Sequence, residues 1–205
     1  MPSLPRRIAL AALLAAPLLA SLALPAAAQT PTRLRGTLEY VGKDRVRMIK
    51  NGGGQVELAL TAKTGVATVA VASLTDVAKG SYIGTAAVPG KGGVLVALEV
   101  HIFAEAMRGL GDGHRPFDLE PESTMTNGTV GDVAATDGTT LTVTYKGGEQ
   151  KIMVPPGVPV VSISPGGWDL VAPGTHVIIF ADKAEDGTQT AARILVGAGG
   201  IVPPM

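Results

Sequence analysis

The chain has 205 residues, with 17 Lys and Arg against 17 Asp and Glu, no cysteine, one Trp, three Tyr and three Phe. A chain without cysteine has no disulfides, thiolate metal sites, cysteine nucleophile or lipid-anchored N-terminal cysteine. Balanced charge and scarce aromatics exclude the basic stripe or stacking platform that nucleic acid requires. Gly and Pro make up about a fifth of the residues, below the roughly 25–30% of low-complexity chains, while hydrophobic residues reach 46%, so the composition is that of a folded, turn-rich chain.

Residues 1–28 read as a secretory leader. Arg6 and Arg7 precede an apolar run from Ile8 to Leu24, and Pro25 then leads to Ala26-Ala27-Ala28, supplying the basic, hydrophobic and small-residue regions in order. The run carries Pro17 and falls short of the about 20 residues that cross a bilayer, so cleavage is expected after Ala28, with a periplasmic or secreted mature form and no membrane span in it. Arg6-Arg7 lacks the flanks of a twin-arginine signal, which favours the ordinary export route.

Beyond the leader the chain echoes itself. Arg35-Gly36-Thr37-Leu38-Glu39-Tyr40-Val41 returns as Asn127-Gly128-Thr129-Val130-Gly131-Asp132-Val133, 92 positions later, and Gly65-Val66 is matched to Gly157-Val158. Ala97-Leu98-Glu99-Val100 is answered by Ala191-Ala192-Arg193-Ile194 at an offset of 94, which predicts a two-residue insertion between Ser162 and Trp168. Within the first copy, Leu34–Val41, Arg45–Ile49, Val56–Leu60, Val66–Ala72, Tyr82–Val88 and Val94–Phe103 have the period of two expected of strands. Val46, Met48, Leu141 and Val143 mark the apolar face. Turns such as Asn51-Gly52-Gly53-Gly54, Asp137-Gly138 and Lys146-Gly147-Gly148 separate the strands.

The predicted fold is all-β: two tandem small β-barrels similar to OB folds, residues 34–103 and 128–197, related by the internal repeat and closed so that no sheet edge is left open. An ordered Gly- and charge-rich loop, residues 104–127, joins them. Residues 198–205, rich in Gly and Pro, are expected to fray. Leu74–Gly80 and Trp168–Gly174 each suit one helical turn capped by Asp76 or Asp169, and Trp168 is expected to plug its barrel.

Polar chemistry concentrates in residues 104–127. Glu105, Arg108, Asp112, His114, Arg115, Asp118, Glu120 and Glu122 lie there beside Met107 and Met125, with Phe117 and Leu119 to bury and Pro116 and Pro121 to stiffen the segment. Met107-Arg108-Gly109-Leu110-Gly111-Asp112-Gly113-His114-Arg115-Pro116-Phe117-Asp118-Leu119, followed by Pro121 and Ser123-Thr124-Met125-Thr126-Asn127, resembles the loop signature of a family of exported bacterial proteins of unknown function. Some members carry a metal-transport label. The resemblance implies small β modules on either side and Trp where Phe117 stands.

Three chemistries compete for this segment. Recognition is favoured: Arg108 and Arg115 grip a carboxylate or phosphate, Gly109, Gly111 and Gly113 let backbone amides approach, and Asp112, His114, Phe117 and Asp118 complete a surface for an envelope protein or small anionic ligand. That reading needs no cofactor and is not enzymatic. The first alternative is a transition-metal site, copper above all, built from His114, Met107 and Asp112, although it lacks the paired spacing of a strong metal motif. Acid/base catalysis by Asp118 with Glu120 or Glu122 needs a carboxylate separation that sequence spacing does not supply. The second alternative is a structural loop whose charges only lock the modules together, with His114 bonded to Asp112 or Asp118.

Overall fold

The computed structural model describes residues 31–136 and 138–205; the expected leader lies outside the described residues. The chain is all-β. Its thirteen described strands are β1 (Thr32–Val41), β2 (Arg45–Lys50), β3 (Gln55–Ala59), β4 (Gly65–Val71), β5 (Tyr82–Pro89), β6 (Leu95–Phe103), β7 (Gly113–Pro116), β8 (Thr124–Thr136), β9 (Gly138–Tyr145), β10 (Gly148–Val154), β11 (Val160–Pro165), β12 (His176–Lys183) and β13 (Gln189–Gly197). The helical segments among the described residues are three-residue 3₁₀ turns, and no described helix is long and apolar enough to cross a membrane.

Alternation decides which side of each strand is buried. Val46 and Met48 on β2, and Leu141 and Val143 on β9, are fully buried as their period of two requires. Between β2 and β3 the chain reverses through Gly52, Gly53 and Gly54, all at positive φ, where side chains are strained and glycine is not.

The strands form one sheet in the order β10-β9-β8-β5-β6-β11-β4-β13-β12-β1-β2-β3, with β7 added beside β8 and further pairings of β10 with β6 and β3 with β13. This order differs from one sheet per copy. The β1–β2–β3 meander of the N-terminal half pairs with β12 and β13 of the C-terminal half, and β8–β9–β10 of the C-terminal half pairs with β5 and β6 of the N-terminal half. The segments 34–103 and 128–197 are therefore not self-contained sheets. At the centre β4 and β11 run antiparallel, Val69 opposite Ile163, and each also pairs in parallel with the last strand of the other half. Periodicity fixes which face of a strand is apolar but carries no information on which distant strand lies alongside it, so the exchange was illegible to pattern reading.

Three apolar cores follow from this pairing. One joins Leu38, Met48 and Leu58 to Val177, Ile179 and Ile194. A second joins Ile83, Ala97 and Val100 to Val130, Leu141 and Ile152. The third lies between them, where Val69, Tyr82, Phe103, Ile163, Ile178 and Leu195 are covered by Met107, Leu110 and Phe117 of the inter-repeat segment.

Two expectations are corrected here. Trp168 plugs nothing: it is 47% exposed, because its 3₁₀ turn directs Leu170 and buried Val171 into the first core instead. The C-terminal stretch does not fray either. Pro203 and Met205 are buried, Met205 in the third core, and the Met205 carbonyl accepts a hydrogen bond from Arg35 Nε at 2.8 Å. In the one-turn segments Ser73 is the N-cap and Asp76 closes a capping box with it, whereas no side chain caps the turn containing Asp169.

Candidate functional site: a cavity under the inter-repeat segment

The segment from Ala104 to Asn127 is held down by bonds to both halves of the sheet. Asp118 accepts from Arg33 Nη1 at 2.8 Å and from Arg35 Nη2 and Nη1 at 2.9 and 3.1 Å, all from β1. Burial alone raises the Asp118 carboxyl, but the hydrogen bonds and charges of Arg35 and Arg33 outweigh it and hold the pKa below the ordinary carboxylate range. On the other side, Asp112 Oδ1 accepts from the Lys146 backbone N–H at 2.7 Å, tying the segment to the β9–β10 turn. Residues 113–116, expected as loop, form β7 and pair with Thr124–Asn127 of β8.

Each predicted site residue now has a definite place. Arg108 is taken up by Glu105, by the Gly80 carbonyl at 2.9 Å and by Thr129 Oγ1 at 3.3 Å, so its guanidinium fastens the segment to the sheet. Gly109 and Gly113 have positive φ with open space where a Cβ would stand. His114 is bonded to Thr126 rather than to Asp112 or Asp118: its Nδ1 lies 2.8 Å from Thr126 Oγ1 and its ring stacks on Tyr145 with centroids 6.0 Å apart. Burial, and then Arg115, lower its pKa. Phe117 lies under Arg33, whose guanidinium carbon is 4.3 Å from the ring centroid. Among the described residues no group of three or more His, Asp or Glu side chains is placed to hold a metal ion; Met107 and Asp112 line a cavity that His114 does not reach. The carboxylate of Asp118 is engaged by two arginines, which leaves the paired-acid reading without its first acid.

Beneath this segment lies a cavity of about 500 Å³, within the roughly 300–1,000 Å³ of small-molecule sites. Its walls are chiefly apolar, with Phe103, Leu110, Met125, Phe180 and Leu195 prominent. Three arginines reach it: Arg33, Arg115 and Arg193. Arg33 is paired with Asp118, which it shares with Arg35, whereas Arg115 and Arg193 are half-buried and form no salt bridge among the described residues. Arg115 Nη1 donates to the Gly111 carbonyl at 2.7 Å. Burial, with Arg33 nearby, lowers the Arg115 pKa, and burial lowers that of Arg193; both nonetheless stay charged at neutral pH.

The deepest polar groups come from the sheet. His101, Gly84 and Asn127 stand side by side on β6, β5 and β8, and a Cβ at Gly84 would come within 2.0 Å of His101 Nε2 and 2.5 Å of Asn127 Oδ1. Only glycine leaves room for both heads. His101 is 3% exposed, and its Nδ1 is held by fully buried Glu99 at 3.0 Å. Glu99 Oε1 also accepts from the Ala86 N–H at 2.8 Å. Asn127, 5% exposed, donates from Nδ2 to the Leu110 carbonyl at 3.0 Å, but its Oδ1 is buried without a partner. Tyr82 donates to the same carbonyl, and burial, with Asp112 nearby, pushes its hydroxyl up to about 12.

Of the predicted residues, Met107, Gly111, Asp112, Arg115 and Phe117 are brought together around the cavity, while Arg108, Gly109, Gly113, His114 and Asp118 are not among its lining. Arg33, His101, Asn127 and Arg193 escaped the sequence reading as site residues. A signal existed: Glu99 and His101 are two apart, hence on one face, in the otherwise apolar strand Leu95–Phe103.

Two other concavities, of about 420 and 570 Å³, are less apolar, and the first is lined by Arg45, which pairs with Asp44 and Glu57. No family model, curated protein or solved structure matches this chain.

Proposed function

We propose that this protein is an exported, non-catalytic binding module whose cavity takes a small amphiphilic anion, an apolar body carrying one carboxylate or phosphate. The observation that carries the reading is the pair Arg115 and Arg193, half-buried beside an apolar cavity without a salt-bridge partner among the described residues. Half-burying a cation costs free energy, which for Arg115 is offset only in part by its bond to the Gly111 carbonyl, and an anionic ligand would offset the rest. The apolar walls contribute through burial of the ligand's body, at about 25 cal/mol per Å².

Architecture supports the same reading. The two halves look like copies of one unit, each barrel assembled from the first three strands of one copy and the last two of the other. In support, Val66 faces Ile194 and Val160 faces Val100, so equivalent strands pair at one 94-residue offset. The same offset already applies at Ala59–Thr190 and Val96–Met153, which moves the extra residues upstream, toward the β8–β9 hairpin, rather than to Ser162–Trp168. Under this offset Glu99 and His101 correspond to Arg193 and Leu195, so the polar floor belongs to one copy alone and is not demanded by the fold. The leader and the loop signature, with its likeness to exported bacterial proteins, support a periplasmic or secreted setting.

Calorimetric titration with decanoate, using neutral 1-decanol as control, tests the proposal. The expected result is one site per chain that prefers the acid, with Arg115→Ala and Arg193→Ala each weakening it about tenfold, the size of a lost charge-assisted contact. Equal affinity for acid and alcohol, or unchanged affinity in both variants, would overturn it.

A further inference from the structure

Resting on that reading, we infer that the ligand carries a hydroxyl beside its acid group, so that the cavity selects aliphatic hydroxy acids over simple carboxylates. Asn127 lines the cavity and its Oδ1 is buried with no hydrogen bond, and an unmet buried acceptor is costly enough to require a function or a partner. Its orientation is set, because Nδ2 is committed to the Leu110 carbonyl.

Two glycines then place the Asn127 amide between the other polar heads, with its Oδ1 on the Gly84 side and its Nδ2 on the Gly111 side. Across Gly84 its neighbour is His101 Nε2. Across Gly111 the neighbour is Arg115, since a Cβ at Gly111 would come 3.0 Å from Asn127 Nδ2 and 3.2 Å from Arg115 Nη2. Imidazole, amide and guanidinium thus form one row at the buried side of an apolar cavity. An acid oxygen suits Arg115, and the group next to it must donate to Asn127 Oδ1 while meeting a ring nitrogen.

A hydroxyl fits that position better than an ammonium. Its single O–H donates to the amide oxygen, and its oxygen lone pairs accept from Nε2 when the ring carries a proton there. An ammonium would need a buried counter-charge, and the Glu99 carboxylate is already engaged by His101 and the Ala86 N–H. Proximity of Arg115 to Asn127 puts the hydroxyl close to the acid, as in a 2- or 3-hydroxy acid, rather than at the far end of the chain.

The test is a calorimetric comparison of decanoate, 2-hydroxydecanoate and 3-hydroxydecanoate on the wild-type protein and on Asn127→Ala. One of the hydroxylated acids is expected to bind about tenfold more tightly than decanoate, the size of one hydrogen bond to an otherwise unmet acceptor, and Asn127→Ala is expected to erase that preference. Decanoate binding equal to both hydroxy acids would overturn this inference while leaving the anion site standing. Binding of none of the three would overturn both. If Asn127→Ala does not fold, the wild-type series decides alone.

Discussion

At residue scale, space that side chains leave empty governs the site. Gly84→Ala would place a methyl against His101 Nε2 and Asn127 Oδ1, and overpacking of this kind costs about 1–3 kcal/mol. The expected outcome is a Tm lower by roughly 5 °C together with weakened ligand binding, read by thermal unfolding and titration. His114 offers an independent check through pH. Its pKa is lowered in the fold, so the unfolded chain binds more protons below about pH 6.5, and stability is full above that value and declines as pH falls through the lower, folded one. Thermal unfolding between pH 8 and pH 5 should show this decline, and His114→Gln should flatten it; an unchanged slope in the variant would refute the assignment. The sequence made His114 conspicuous by its glycine-rich neighbours, yet its side chain serves Thr126 and Tyr145, while His101, plain within a strand, reaches the cavity.

At the scale of elements, the inter-repeat segment acts as a cover fastened at both ends. Asp118 receives two arginines from β1, and its depressed pKa predicts the pH at which that fastening fails. The contribution is present above about pH 4, the unfolded value, and is lost as pH falls through the folded one. Asp118→Asn should therefore lower Tm at pH 7 and show little difference from wild type near pH 2, measured by circular dichroism. The order of this segment was legible from Phe117, Leu119 and the two prolines; its strand β7 was not. Gly-His-Arg-Pro carries no alternation of apolar residues, and its pairing is imposed by β8 beside it. The C-terminal stretch shows the same limit. Gly and Pro suggest fraying locally, but burial of Ile201 and Met205 against a distant core decides the outcome.

For the whole molecule, pairing of strands across the N-terminal and C-terminal halves makes those halves interdependent. Residues 31–103 alone retain β1, β2 and β3 without β12 and β13, and lose half of the first core. Such a fragment should show neither cooperative unfolding nor native-like circular dichroism, and neither should residues 104–205, whereas the intact chain should unfold in one transition. A folded fragment 31–103 would restore the one-module-per-copy layout. The all-β class and most strand positions were readable from alternation and glycine turns; the partner of each strand was not.

The central claim is that a ligand enters beneath the inter-repeat segment, and its most direct test is methyl NMR of the methionines during addition of decanoate. Met107, Met125 and Met205 line the cavity, while Met48 is buried in the first core and Met153 lies on β10. Saturable shifts of the first three signals are expected, with Met48 and Met153 unmoved. No shift at saturating decanoate, or equal shifts at all five, would contradict it.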